Sequence, residues 1–304
     1  MTFSSLQVTP LPQAPALPDL TVIIPAYNEV AGIGPTVHEL RAALAGIPLR
    51  AELVVVDDGS TDGTAAAAER LGVRVIRLPE NEGYGAALKA GIRAAPAELI
   101  AIIDADGTYP PSALAKLLHA IQGADMAVGA RDIQGRHISF FRRPAKWFLN
   151  GLAGYLAGRR IPDVNSGLRV MRASVVRQFL PLLPSGFSFT TTITLSMLCT
   201  GHRVNFVPIE YRARIGCSKI RPAHFTAFLI LVLRTVMLFN PLKVFLPLGG
   251  FVFLIGLGKL AQDLVLRNLS ETAVMSFLSA LVIWSLGLLA DMVSRTQLLR
   301  NGSS

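Results

Sequence analysis

The chain reads as an α/β domain on a parallel sheet, followed by two helices of membrane-spanning character. Three observations predict this. From Leu20 onward, short β-branched runs alternate with helical stretches, the rhythm of βαβ units. The runs are largely apolar, as strands covered on both faces are. Beyond Arg221 the mixed composition gives way to long uncharged stretches.

Taken in order, LTVIIPA forms the first strand and a helix follows from about Gly34 to Ala45. AELVVVDD, a helix from Gly63 to Leu71, and VRVIRLP continue the pattern. A helix over Gly85 to Ala94 leads to the strand ELIAIID. Prolines open an amphipathic helix from Pro111 to Ile121, and DMAVGA is a further strand. Residues 225–242 are apolar but interrupted by Arg234 and Pro241, which suits a helix lying in a membrane interface. Val244 to Gly258 is uncharged and, with Lys259 snorkelling, reaches bilayer length; Thr272 to Ala290 is a second uncharged run. Two buried helices of a soluble protein are the competing reading of these runs. The resulting division is a flexible N-terminus (1–18), a catalytic α/β domain (19–221), an interfacial segment (222–243), two transmembrane helices (244–296) and a short tail (297–304).

The 304 residues carry a formal net charge of +9, with Lys and Arg gathered in 131–177 and 203–243. That field favours anionic partners such as lipid headgroups or phosphorylated ligands. Nucleic acid is set aside because no recognition motif accompanies the charge. Two cysteines without metal-ligand spacing fit a reduced compartment. The first sixteen residues lack the basic start and apolar core of a signal peptide. Lys219, Arg221, Arg234 and Lys243 precede the first span and Arg295 and Arg300 follow the second, so both termini are expected to be cytoplasmic.

In a parallel sheet, ligands meet the loops at the carboxyl ends of the strands. Here those loops are rich in acids and amides. Asp104-Ala105-Asp106 follows a buried strand, and where the chain bends two carboxylates one residue apart can reach one hard cation, magnesium or manganese. An isolated pair of this kind is more often a solvated turn. Three other strand ends accompany it: Pro25-Ala26-Tyr27-Asn28-Glu29, Asp57 to Thr64, and Asn81-Glu82-Gly83-Tyr84-Gly85. Their carboxylates can bind a ribose diol or base edge, and the glycines permit close backbone approach. Asp62 is better read as a helix-cap residue. The five histidines are scattered without ligand spacing.

VIIPAYNE, VVVDDGSTDGT, NEGYGAALKAG and DADGTYPP together resemble the ordered motifs of family 2 glycosyltransferases, and among these the polyprenyl-phosphate sugar transferases such as dolichol-phosphate mannosyltransferases. The resemblance implies a glycosyltransferase A-type (GT-A), Rossmann-like fold. It places Pro25, Tyr27, Glu29, Asp58 and Gly83 beside a nucleotide-sugar and Asp104 and Asp106 on the metal. Arg131, Arg142 and Arg143 fall where relatives carry basic groups beside the reacting phosphates. Arg169 lies in a segment that resembles their SGF-type motif, and Lys219 and Arg221 lie in one that resembles their basic loop next to the membrane. The resemblance implies Arg142, Arg143, Arg169 and Arg221 as contacts to the acceptor phosphate and Asp106, Arg131, Arg143 and Lys219 as the catalytic set. Relatives often carry Gln two residues after the second aspartate. This chain has Thr108, so water or that hydroxyl is the expected third metal ligand.

Transfer to a sugar hydroxyl needs a general base, yet Ser188-Phe189-Thr190-Thr191-Thr192 offers no carboxylate. A phosphate monoester, with a second pKa near about 6, attacks without one. The expectation is inverting transfer of a hexose from GDP-mannose or UDP-glucose to a polyprenyl phosphate at the membrane face. The bilayer is a further partner, and interfacial helices leave room for self-association. Transfer to a lipid hydroxyl, and a non-catalytic membrane scaffold that binds nucleotide-sugar, are the alternatives.

Overall fold

The computed structural model describes residues 17–131, 161–186, 188–212, 240–266 and 270–302, with residues 151, 154, 155, 158 and 237. Its centre is a seven-stranded sheet ordered β3-β2-β1-β4-β6-β5-β7. The strands are β1 (Leu20–Ala26), β2 (Ala51–Asp57), β3 (Arg74–Arg77), β4 (Leu99–Ile102), β5 (Met126–Arg131), β6 (Arg169–Arg172) and β7 (Val204–Ile209). Helices α1 (Val30–Ala45), α2 (Thr64–Arg70), α3 (Tyr84–Ala94) and α4 (Ala113–Ala120) alternate with the first five strands. α5 (Ala173–Phe179) and α6 (Phe189–Cys199) follow β6.

Both faces of the central strands β1 and β4 are buried, which is why those strands carry no polar alternation. Val22 and Ile24 of β1 pack with Ile33, Val37 and Leu40 of α1 and with Leu114 and Leu117 of α4. Ile23, pointing the other way, packs with Leu88 and Ile92 of α3 and with Phe189 and Ile193 of α6. Each such side chain is fully buried, worth about 1.5–3 kcal/mol relative to exposure. Gly91 sits where a side chain would collide with Ile23, so α3 can lie close on the sheet.

The expectation of a parallel sheet needs correction at one strand. β6 runs antiparallel to both β4 and β5, while the other pairings are parallel. Ile102 pairs with Arg169, so β6 begins at the carboxyl edge where β4 ends. That reversal brings residues 165–167 beside Asp104, a neighbourhood a parallel strand would not create.

Two further helices, α7 (Leu242–Leu266) and α8 (Glu271–Gly302), pack on each other as an antiparallel hairpin. At about 1.5 Å per residue each exceeds the roughly 30 Å hydrocarbon core. Both are long and apolar enough to cross a membrane. Their outer faces expose Leu246, Phe251, Leu254, Leu281 and Leu288. Gly249 and Gly287 admit Trp284 and Phe245 of the opposite helix, and Trp284 Nε1 donates to the Leu246 carbonyl at 3.2 Å. Asp263 accepts from the Ser270 backbone and hydroxyl at 2.8 and 2.5 Å, closing the turn between the helices.

Candidate active site

The loops at the carboxyl edge hold one another before they hold anything else. Asn28 takes a left-handed backbone (φ 52°), which asparagine tolerates, and its Oδ1 accepts from the Thr61 N–H at 2.9 Å. The Asn28 and Glu29 N–H groups donate to Ser60 Oγ and Thr64 Oγ1, both at 2.9 Å. Asp62 accepts from the N–H groups of Thr64 (2.9 Å) and Val30 (3.1 Å), the first residues of α2 and α1, and so ties the two helix starts together; the N-cap position of α2 itself is Gly63. Much of the run from Ser60 to Thr64 therefore shapes the loop carrying Tyr27 and Glu29.

Asp58 repeats the pattern one loop further on. Its carboxylate accepts from the Glu82 N–H at 2.9 Å and the Gly83 N–H at 3.0 Å. Burial raises its pKa, with the two amides opposing that shift. Gly83 has φ 102°, and a Cβ there would lie 2.8 Å from the Ser185 carbonyl oxygen. The Ala86 N–H donates to that same oxygen at 3.0 Å. The NEGYG glycines thus seat the chain at 184–186 on the start of α3. That is a different reason for glycine than close approach to a ligand, although Gly83 also lines the cavity described below.

Asp104 and Asp106 lie just past β4. The Tyr84 hydroxyl donates to Asp104 Oδ1 at 2.8 Å, and the Thr108 N–H and hydroxyl donate to Asp106 Oδ1 at 3.1 and 2.6 Å. Burial, then the neighbouring Asp104 charge, push the Tyr84 phenol well above its ordinary pKa, so it stays a donor. The intervening Ala105 carbonyl accepts from Thr36 Oγ1 at 3.1 Å, and Gly32 leaves it room. Thr108, whose hydroxyl or a water was the expected third metal ligand, is buried, and its hydroxyl orients Asp106.

At the other end, Arg131 closes β5 and makes a bidentate pair with Asp163, Nε to Oδ2 at 2.6 Å and Nη2 to Oδ1 at 2.8 Å. Its guanidinium lies over the Tyr211 ring, 5.3 Å from the centroid, and Tyr211 meets Tyr109 edge-on. Burial opposes both charges, but each outweighs it for the other: the Arg131 pKa is raised and the Asp163 carboxyl is held below the usual range. Arg169 is elsewhere. It is fully buried, donating to the Ser166 carbonyl from Nε (3.2 Å) and Nη2 (2.5 Å) and to the Thr190 carbonyl from Nη1 (3.1 Å). Its expected contact with an acceptor phosphate is therefore corrected: it ties the start of β6 to the start of α6.

Pro25, Tyr27, Glu29, Asp58 and Gly83 at one end, Asp104 and Asp106 in the middle, and Arg131 at the other end line a single cavity of about 450 Å³. Arg142, Arg143, Lys219 and Arg221 lie outside the described residues. Asp163, Tyr84, Asn165, Thr190 and Tyr211 are site residues that the sequence reading did not assign. Tyr84 was visible within NEGYG, where its glycines drew the attention; Asp163 and Tyr211 gave no motif signal.

The donor set fits a hard divalent cation. Asp104 and Asp106 bring carboxylates to one cavity, each with one oxygen oriented by a hydroxyl. Among the described residues no group of three His, Cys, Asp or Glu could hold a metal, so the remaining positions would fall to phosphate oxygens and water.

The profile described as Glycosyl transferase family 2 matches residues 21–180, and that described as GtrB C-terminal hairpin matches 240–296. A dodecaprenyl-phosphate galacturonate synthase of Rhizobium johnstonii is 29% identical over 91% of this chain and 88% of its own. A dolichyl-phosphate hexose transferase of Haloferax volcanii is 33% identical over 67% of this chain and 87% of its own. An undecaprenyl-phosphate mannosyltransferase of Micrococcus luteus is 31% identical, over 65% and 86%. The crystal structure of glucosyl-3-phosphoglycerate synthase from Mycobacterium tuberculosis with Mn2+, UDP and glucosyl-3-phosphoglycerate superposes with a TM-score of 0.59 at 21% identity, covering 72% of this chain and 80% of that one. At that identity the likeness concerns the fold, which is GT-A.

Proposed function

Because this chain belongs to glycosyl transferase family 2, we propose that it moves a hexose from a nucleotide-sugar to a polyprenyl phosphate, with inversion, at the cytoplasmic face of a membrane. The named relatives are polyprenyl-phosphate sugar transferases that differ in sugar, and GDP-mannose and UDP-glucose are the donors proposed here. One observation carries the reading. The carboxylate pair shares its cavity with Thr190 at the start of α6, where the wall offers hydroxyls, and the carboxylate of Asp163 is committed to Arg131. A hydroxyl acceptor would need a base there. A phosphate monoester is already ionised at neutral pH.

In the reaction an acceptor phosphate oxygen attacks the anomeric carbon. The bond from that carbon to the leaving diphosphate breaks, and its electron pair departs with the diphosphate. Tyr27, Glu29 and Asp58 bind and orient the nucleoside. Asp104 and Asp106 would hold Mg2+ or Mn2+, which when bound supplies charge neutralisation for the diphosphate. Arg131, its Nε and Nη2 fixed by Asp163, meets a phosphate with Nη1 and contributes a cation whose orientation is set before the ligands arrive. Arg142, Arg143, Lys219 and Arg221 would add to this positive field. The apolar hairpin anchors the domain where the lipid phosphate lies.

The stereochemistry of the product tests this. Nuclear magnetic resonance of lipid made from an α-linked donor is expected to show a β-glycosyl phosphate that mild acid releases. An α product, or a lipid stable to mild acid, would overturn the mechanism.

A further inference from the structure

We propose that Gly167 and Tyr84 are positioning residues that fix the Asp104 carboxylate for cation binding, one at each oxygen. This rests on the reading above that Asp104 and Asp106 hold a divalent cation.

The observation is steric. A Cβ at Gly167 would lie 2.6 Å from Asp104 Cγ and 2.8 Å from Oδ1, and closer still to Oδ2. Any side chain at 167 would occupy the space of the carboxylate itself. Gly167 has no positive φ to explain the glycine, so close approach is the reason for it.

Neither partner can easily retreat. The Gly167 N–H donates to the Tyr109 hydroxyl at 2.7 Å, and the preceding Ser166 carbonyl is gripped by buried Arg169. Two residues on, β6 is already paired with β4, the strand that leads into Asp104. The Leu168 carbonyl also accepts from the Gly129 N–H at 2.9 Å. Moving Gly167 away would break sheet hydrogen bonds; rotating Asp104 would break its 2.8 Å bond from Tyr84. A methyl group at 167 must therefore shift the carboxylate, and loss of the Tyr84 hydroxyl must free it to turn. Outer-sphere partners of this kind change metal affinity by about 10- to 100-fold.

The test uses full-length protein in detergent, titrated with Mn2+ in the presence of UDP and, separately, GDP, with free Mn2+ read by electron paramagnetic resonance. Wild type is expected to bind Mn2+ with at least one of the two nucleotides. Gly167→Ala and Tyr84→Phe are each expected to weaken Mn2+ by about 10- to 100-fold, while metal-free nucleotide binding is retained and the activity deficit shrinks at saturating Mn2+. Should Gly167→Ala fail to fold, Tyr84→Phe, which removes one oxygen and adds nothing, carries the test. Wild-type Mn2+ affinity in a folded variant overturns the role of that residue. Wild-type protein that binds nucleotide but no Mn2+ overturns the metal reading, and the positioning role with it.

Discussion

Arg131 and Asp163 carry the largest electrostatic commitment in the described site, with side chains 23% and 5% exposed. Removing one partner strands the other, so Arg131→Met is expected to cost about 3–5 kcal/mol at neutral pH. The pH dependence follows from the signs. Asp163 has a lowered folded pKa, so its contribution is present above the ordinary carboxylate pKa of about 3.9 and is lost as pH falls through the lowered value. In Arg131→Met the stranded carboxylate has a raised pKa instead, and its penalty is relieved on acidification. Thermal midpoints between pH 7 and 4 are expected to converge for the two proteins; a constant gap would mean that Asp163 is not the stranded group. Asp106→Asn belongs to the same scale and is expected to lower transfer by roughly 100-fold, with nucleotide binding retained in the absence of metal. The aspartates were legible as site candidates because three other acid- and amide-bearing strand ends accompany them; alone, such a pair is more often a solvated turn. Asp163 was not, because its partner lies 32 residues away in sequence.

Elements were legible where local pattern sufficed. β1 and β2 are largely apolar runs and β4 a continuous one, and α3 and α4 fall within a few residues of the helices predicted from periodicity. β6 was missed because RVMR is only four residues long and does not alternate; its place is decided by pairing with β4 and β5. The NEGYG segment shows the limit of motif reading. A Cβ at Gly85 would lie 2.8 Å from Ser185 C and 2.9 Å from the Gly186 carbonyl oxygen. Gly85→Ala is therefore expected to destabilise by about 1–3 kcal/mol through overpacking of the 184–186 chain on α3, measured by thermal unfolding. Because 184–186 leads into α6 and Thr190, the same variant should also reduce turnover. Unchanged stability would mean that this contact gives way freely.

For the whole molecule, a domain whose cavity opens at the carboxyl edge of its sheet is joined to a hairpin that exposes apolar faces. Net charge of +9 favours an anionic membrane surface. A chain ending at residue 221 is expected to bind nucleotide normally yet lose most turnover on long-chain polyprenyl phosphate; equal activity would show that the hairpin does not present the acceptor. The division into α/β domain and apolar helices was legible in composition alone, whereas the donor sugar was not, because it is set by a few side chains around the cavity. The central claim is met most directly by incubating purified full-length protein with undecaprenyl phosphate and radiolabelled UDP-glucose or GDP-mannose, with and without Mn2+, beside Asp106→Asn. Metal-dependent, acid-labile labelled lipid from one donor, absent with the variant, is the expected result. Labelled lipid that is stable to mild acid, or formed equally by Asp106→Asn, would contradict the account.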